Sequence, residues 1–118
     1  QRQMCIRDSP GGVACGFLVQ IGGRTIYFAG DTGLFGDMQL LGRLNRIDCA
    51  FLPIGDRFTM GPEDAALAAG FLKASCVIPM HYNGNEKTMQ DPESFRRMTE
   101  ESTCSRVLVM RPGEMREI

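Results

Sequence analysis

Residues 24–35 read R-T-I-Y-F-A-G-D-T-G-L-F, and the run of β-branched and aromatic residues Thr25, Ile26, Tyr27 and Phe28 stops at Ala29-Gly30. Such a run reads as a strand, and the residues after the break take up a helix-like spacing. An acidic residue, Asp31, stands at the break, so the strand delivers a carboxylate to a sheet edge. Glycines 30 and 33 flank Asp31-Thr32. They let the backbone turn sharply and let something approach closely, as a metal or phosphate site requires. The commoner role of an aspartate in this place is to cap the next helix, and this stretch alone leaves both roles open.

The chain around it, 118 residues with 43% hydrophobic and 23% charged side chains, is long enough for one ordinary domain or a piece of a larger one. Its formal net charge is -1, with no block of like charges. That argues against a nucleic-acid or anionic-membrane surface and for small molecules or protein as partners. The five cysteines (Cys5, Cys15, Cys49, Cys76, Cys104) are odd in number, widely spaced and without a C-x-x-C pair. They read as free buried thiols in a reducing compartment. No apolar run reaches the length of a membrane span and no signal-peptide core precedes the domain, so a soluble, cytoplasmic protein is expected.

Residues 1–9, Q-R-Q-M-C-I-R-D-S, carry no usable period and precede a Pro-Gly-Gly break. They resemble translated sequencing-adapter read-through and are set apart as a non-native or disordered segment. On that reading the domain occupies residues 10–118 and the true protein begins further upstream. Residues 13–21 are apolar and small, and Gly22-Gly23 is a turn signal, so an antiparallel hairpin with the strand from Arg24 is expected. Leu34, Met38, Leu41 and Leu44 put one stripe on a helix over residues 34–45.

Residues 48–54, D-C-A-F-L-P-I, are nearly continuously apolar, as in a strand buried on both faces. Gly61-Pro62-Glu63-Asp64 starts a helix, with proline at its first position and acids in its first turn. Ala65, Ala68, Ala69 and Leu72 supply its buried face. Residues 76–80 are a further strand ending at His81-Tyr82, and Asp91-Pro92 starts a helix with Phe95 and Met98 inward. Residues 106–110 and 114–118 read as closing strands. The order β-β-α-β-α-β-α-β-β implies an α/β fold with a mixed sheet.

If the three strands ending near Ala29, Ile54 and Met80 are parallel, their carboxyl ends share one edge, where ligands usually bind in such sheets. That edge gathers Asp31, Asp56 and His81, with Thr32, Thr59, Met60 and Tyr82 around them. Each has a bland alternative. His81, the only histidine, is more often a hydrogen-bonded residue at a strand end, Asp56 can simply order its own loop, and Met60 is more often packing. An imidazole and a carboxylate suit zinc, manganese or iron(II), but catalytic zinc usually takes three protein ligands plus water.

The runs A-G-D-T-G-L-F-G-D-M-Q-L-L-G, D-C-A-F-L-P-I-G-D-R-F-T-M-G-P-E-D-A, I-P-M-H-Y-N and Q-D-P-E-S-F occur in this order. Together they resemble the C-terminal half of the metal-dependent hydrolases of metallo-β-lactamase fold, in particular the small family called UPF0173. The resemblance covers residues 10–118. It implies one half of an αββα sandwich with helices on one face of the sheet, and two divalent metal ions held between the halves. Asp31 would be the carboxylate bridging both metals and His81 the late histidine on the second; a metal-bridging hydroxide would then cleave an ester, lactone, amide or phosphodiester. Thr32 would orient Asp31, and Tyr82 or Asp56 would steady the ligand loops.

That family's H-x-H-x-D-H signature and a further metal-ligating histidine are absent from a chain with one histidine. The resemblance therefore implies that they belong to a missing N-terminal half, that this chain alone is inactive, and that an apolar sheet face is left exposed, favouring homo-oligomers. The loop after His81, N-G-N-E-K-T-M, also lacks the proline and aromatic residues associated with typical members. Two other classes remain open. A non-catalytic binding or structural module is one. A phosphoryl-transfer enzyme with Asp31 as nucleophile is the other, disfavoured because no second aspartate stands two residues away and no lysine is well placed in that loop.

Overall fold

The computed structural model describes residues 6–9, 12–14, 16–30, 33–34, 36–56, 59–82, 90–111 and 113–116. Strands β1 (Ile6–Ser9) and β2 (Gly12–Ala14) pair antiparallel as a two-stranded ribbon. The main sheet has the order β3 (Phe17–Ile21), β4 (Arg24–Phe28), β5 (Cys49–Pro53), β6 (Cys76–Met80) and β7 (Arg106–Val107). β3 and β4 are the expected hairpin, in register from Phe17↔Phe28 to Ile21↔Arg24. Gly22 and Gly23, with φ of 55° and 78°, supply the left-handed pair that a two-residue turn of the right twist needs.

From β4 onward every neighbour is parallel, and each step is spanned by a helix: α1 (Met38–Leu44), α2 (Pro62–Leu72) and α3 (Pro92–Ser102). Parallel neighbours cannot be joined by a tight turn, and crossovers of one hand put successive helices on one side. Accordingly, one core joins Met38 and Leu41 of α1, the alanines and Leu72 of α2 and Phe95 of α3 to Leu18, Tyr27, Ala50, Leu52, Val77 and Val107 of the sheet. The residues between these on each strand, Ile26, Cys49, Phe51, Cys76 and Ile78 with Leu108 and Met110, form a second cluster on the helix-free face. β5 is buried on both faces, as its unbroken apolar run requires.

Each helix start follows its local chemistry. α2 has proline in its first turn with Glu63 and Asp64 beside it, favourable at the positive end of the helix dipole. Asp91 caps α3, its carboxylate accepting from the Glu93 backbone N–H at 3.0 Å. Four alanines of α2 (Ala65, Ala66, Ala68, Ala69) are buried, and their small size lets the helix lie close to its neighbours.

Four expectations are corrected. First, the strand over residues 13–21 is broken at Gly16, where a Cβ would come within 3.1 Å of the Tyr27 hydroxyl and 3.2 Å of the Phe28 carbonyl oxygen. Second, α1 begins only at Met38; Leu34 packs against the core from outside the helix, and Leu44 is 74% exposed. Steps of three residues in a helix of 3.6 residues per turn drift about 60° each, which carries Leu44 off the buried face. Third, the closing strands reduce to β7; residues 108–111 and 113–116 are not strand. Fourth, Cys49 and Cys76 are free and buried as expected, but Cys104 is free and exposed. Among the described residues no helix is long and apolar enough to cross a membrane.

Candidate functional site

The parallel register brings three strand ends to one rim. Phe28 aligns with Phe51, and Pro53 with Met80. The ladder runs on past the strands: the Ala29 N–H donates to the Phe51 carbonyl (3.1 Å) and the Ile54 N–H to the Met80 carbonyl (3.0 Å). The three chain exits therefore share one edge, the one that the sequence pattern implies, with β4 ending two register positions short of β5 and β6. At each exit a residue takes up left-handed backbone: Gly30 (φ 74°), Asp56 (φ 75°) and His81 (φ 57°). Glycine does so freely and aspartate tolerably, but for histidine the conformation costs on the order of 1 kcal/mol, a strain typical of functional positions.

His81 follows β6 directly and is exposed. It lines a cavity of about 660 Å³ with Pro79, Met80, Tyr82, Pro92, Val109, Met110 and Arg111. Tyr82 is half-buried against the helix-side core, and that burial raises the pKa of its phenol. The ring is thus a neutral hydrogen-bond donor lining the same cavity as His81.

The backbone of Asp56 closes its own loop. Its N–H donates to the Met60 carbonyl at 3.0 Å, and its carboxylate lies so close to Gly61, the residue before α2, that a Cβ there would stand 2.7 Å from Oδ1. Thr59 is half-buried, its hydroxyl donating at 3.4 Å to the Met60 carbonyl. Met60 is 1% exposed and belongs to the core rather than the rim. Gln90 ties this loop to the segment before α3, its side-chain amide donating to the Gly55 carbonyl at 3.4 Å.

Asp31 and Thr32 lie outside the described residues; Ala29 and Gly30 carry the chain to the rim just before them. Among the described residues no three His, Cys, Asp or Glu side chains converge as a metal would require. A catalytic zinc usually takes three protein ligands, and the described residues around His81 do not supply them. Two features had escaped the sequence. The left-handed backbone of His81 has no local signature, whereas glycine announces such a position. The side-by-side placement of Cys49 and Cys76 depends on strand register, which the spacing of cysteines does not encode.

A relative from Desulforamulus reducens named UPF0173 metal-dependent hydrolase is 56% identical over 107 residues, covering 91% of this chain and 47% of that protein. A relative of the same name from Methanospirillum hungatei is 49% identical over 108 residues, covering 92% of this chain and 49% of that protein. The chain spans about half the length of the curated relatives it matches. Among solved structures, a metallo hydrolase from the hyperthermophilic archaeon Ignicoccus hospitalis superposes with a TM-score of 0.85 at 38% identity, over 93% of this chain and 49% of that one. The fold is therefore metallo-β-lactamase-like, one sheet and one helical layer making half of the sandwich. The family model described as beta-lactamase superfamily domain matches residues 2–82, more than half of the chain, and the chain belongs to that family.

Proposed function

We propose that this chain supplies one wall of the active site of a metal-dependent hydrolase, with Asp31 and His81 as its metal donors and a small-molecule ester, lactone, amide or phosphodiester as substrate. The observation that carries the reading is the shared rim: three neighbouring parallel strands end on one edge, and the residue after β6, held in left-handed backbone, is the sole histidine. The names of the relatives, all metal-dependent or metallo hydrolases, support it.

Two divalent cations, zinc or else manganese or iron(II), would make bound water acidic enough to ionise near neutral pH. The chain's own residues position and shield. His81 would present an imidazole nitrogen and Asp31 a carboxylate that Thr32 would orient, and Asp56 would steady the loop between β5 and α2. Tyr82 lines the same cavity as His81. The remaining donors come from residues outside this chain, and the free thiols Cys49, Cys76 and Cys104 suit a reducing cytoplasm.

Isothermal titration of the chain with zinc and with manganese tests the donor count. Weak binding, reduced further in D31N and in H81A, is the expected result; tight stoichiometric binding would overturn the incomplete-site reading. Reading the gene upstream of Pro10 tests the function itself. An in-frame H-x-H-x-D-H supports the hydrolase, and a native start near Pro10 favours a binding module instead.

A further inference from the structure

A row of side chains crosses the helix-free face of the sheet. In register, Ile26 of β4 stands beside Cys49 of β5, Cys49 beside Cys76 of β6, and Cys76 beside Arg106 of β7. Adjacent strands lie about 4.7–4.9 Å apart, inside the window of about 4.4–6.8 Å between Cα atoms that a disulfide spans. The two thiols are free, buried and register partners. We propose that Cys49 and Cys76 form an oxidisable dithiol that a hydroperoxide closes to a cross-strand disulfide.

The surroundings assign different roles to the two sulfurs. The hydrogen bond from Cys49 and then the Arg106 guanidinium lower the pKa of Cys76, outweighing its burial. The hydrogen bond to Cys76, burial and the nearby charge of Asp48 raise that of Cys49. Cys76, the less buried of the two and the register partner of Arg106, is therefore the sulfur that attacks and Cys49 the one that resolves. Attack breaks the O–O bond and leaves Cys76 as a sulfenic acid. The departing oxygen takes up the proton that Cys76 lost, giving an alcohol, or water from hydrogen peroxide. The Cys49 sulfur then attacks the Cys76 sulfur, the S–S bond forms, the S–O bond breaks, and water leaves with the Cys49 proton. Two thiols lose two electrons and two protons, and the peroxide gains them.

Access is the other requirement. Cys76 is 3% exposed and Cys49 fully buried, but none of the described helices packs on this face. Their cover is the half-buried side chains of Ile26, Phe51, Leu108 and Met110. Cys76 is one strand from the edge, and that edge strand, β7, is two residues long. Short edge strands open at low free-energy cost, which admits a molecule as small as a peroxide.

The test is hydrogen peroxide treatment of the full chain, dilute enough to be monomeric by light scattering, followed by peptide mapping. The expected product lacks two hydrogen masses and yields a linked Cys49–Cys76 peptide before Cys104 is modified, reversed by dithiothreitol. In C49S, Cys76 is expected to stop at the sulfenic acid and to be labelled by dimedone, which a packing role would not produce. Oxidation of the exposed Cys104 with no linked peptide, or sulfinic acid on Cys76 in the unsubstituted chain, would overturn the proposal. The map of the unsubstituted chain decides even if C49S does not fold.

Discussion

The carboxylate of Asp56 fills the space that a side chain at Gly61 would occupy, with 2.7 Å between Oδ1 and a Cβ built there. Gly61 has φ -82° and ψ 176°, extended backbone open to any residue, so its need for glycine is steric. G61A is expected to destabilise by about 1–3 kcal/mol through this overlap. D56G removes the carboxylate and also suits the left-handed backbone at 56, so in that background G61A should cost under about 0.5 kcal/mol. Urea unfolding of the four proteins measures the difference; an equal G61A penalty in both backgrounds would show that Asp56 is not the obstacle.

Gly42 poses the same question with the opposite prior. It sits inside α1, where alanine is favoured by about 1 kcal/mol on helix propensity alone. A Cβ there would lie 2.6 Å from the carbonyl oxygen and 2.7 Å from the carbonyl carbon of Leu72 on α2. Backbone atoms of a packed helix cannot swing aside as a side chain can, so α1 and α2 would have to separate. G42A is therefore expected to lower the thermal midpoint, with a net cost of about 1–3 kcal/mol. A raised midpoint would mean that the two helices part easily.

What the sequence disclosed and what it concealed divide along the range of the interactions involved. The apolar run ending at Ile54 declares a strand buried on both faces because burial itself erases the period of two. Pro62 with Glu63 and Asp64 declares a helix start because the unpaired N–H groups and the dipole act within one turn. The shared rim follows from two such short-range facts once neighbouring strands joined through helices are parallel, since parallel strands need such crossovers. The break at Gly16 depends on Tyr27 across the hairpin, and the exposure of Leu44 on where α1 begins. The dithiol depends on which residue of β6 meets Cys49. These are contacts between segments remote in sequence, and spacing carries no trace of them. The edge on which His81 stands was legible, and packing was the commoner expectation for Met60, whereas the left-handed backbone of His81 was not legible.

Thr99 carries a buried group whose removal should help. It is 0% exposed on α3, and its hydroxyl oxygen has no hydrogen-bond partner among the described residues. A hydroxyl taken out of water without compensation costs about 1–3 kcal/mol. Valine keeps the branched shape and has nearly the same helix propensity. T99V is expected to stabilise by roughly 1 kcal/mol, read as a higher urea midpoint at unchanged slope. A lowered midpoint would reveal a hydrogen bond to this hydroxyl.

The helix-free face of the sheet should drive the chain to associate with itself. Phe17 and Phe28 are register partners and remain 38% and 41% exposed, and Ile21, on the same face, is 64% exposed. Phe28 stacks at 5.7 Å on Phe51, which extends the apolar surface toward Cys49 and Ile78. Contiguous apolar surface of this kind is uncommon on monomeric proteins. The relatives it matches are about twice as long and have further chain with which to cover such a face; residues 1–118 by themselves can bury it against a second copy. Light scattering should show an average mass that rises with concentration. F28K sets a charge among these side chains at a position already partly exposed, so it should return the chain toward monomer with little loss of folding stability. A monodisperse monomer at every concentration, or association untouched by F28K, would mean that this face is not what the copies share.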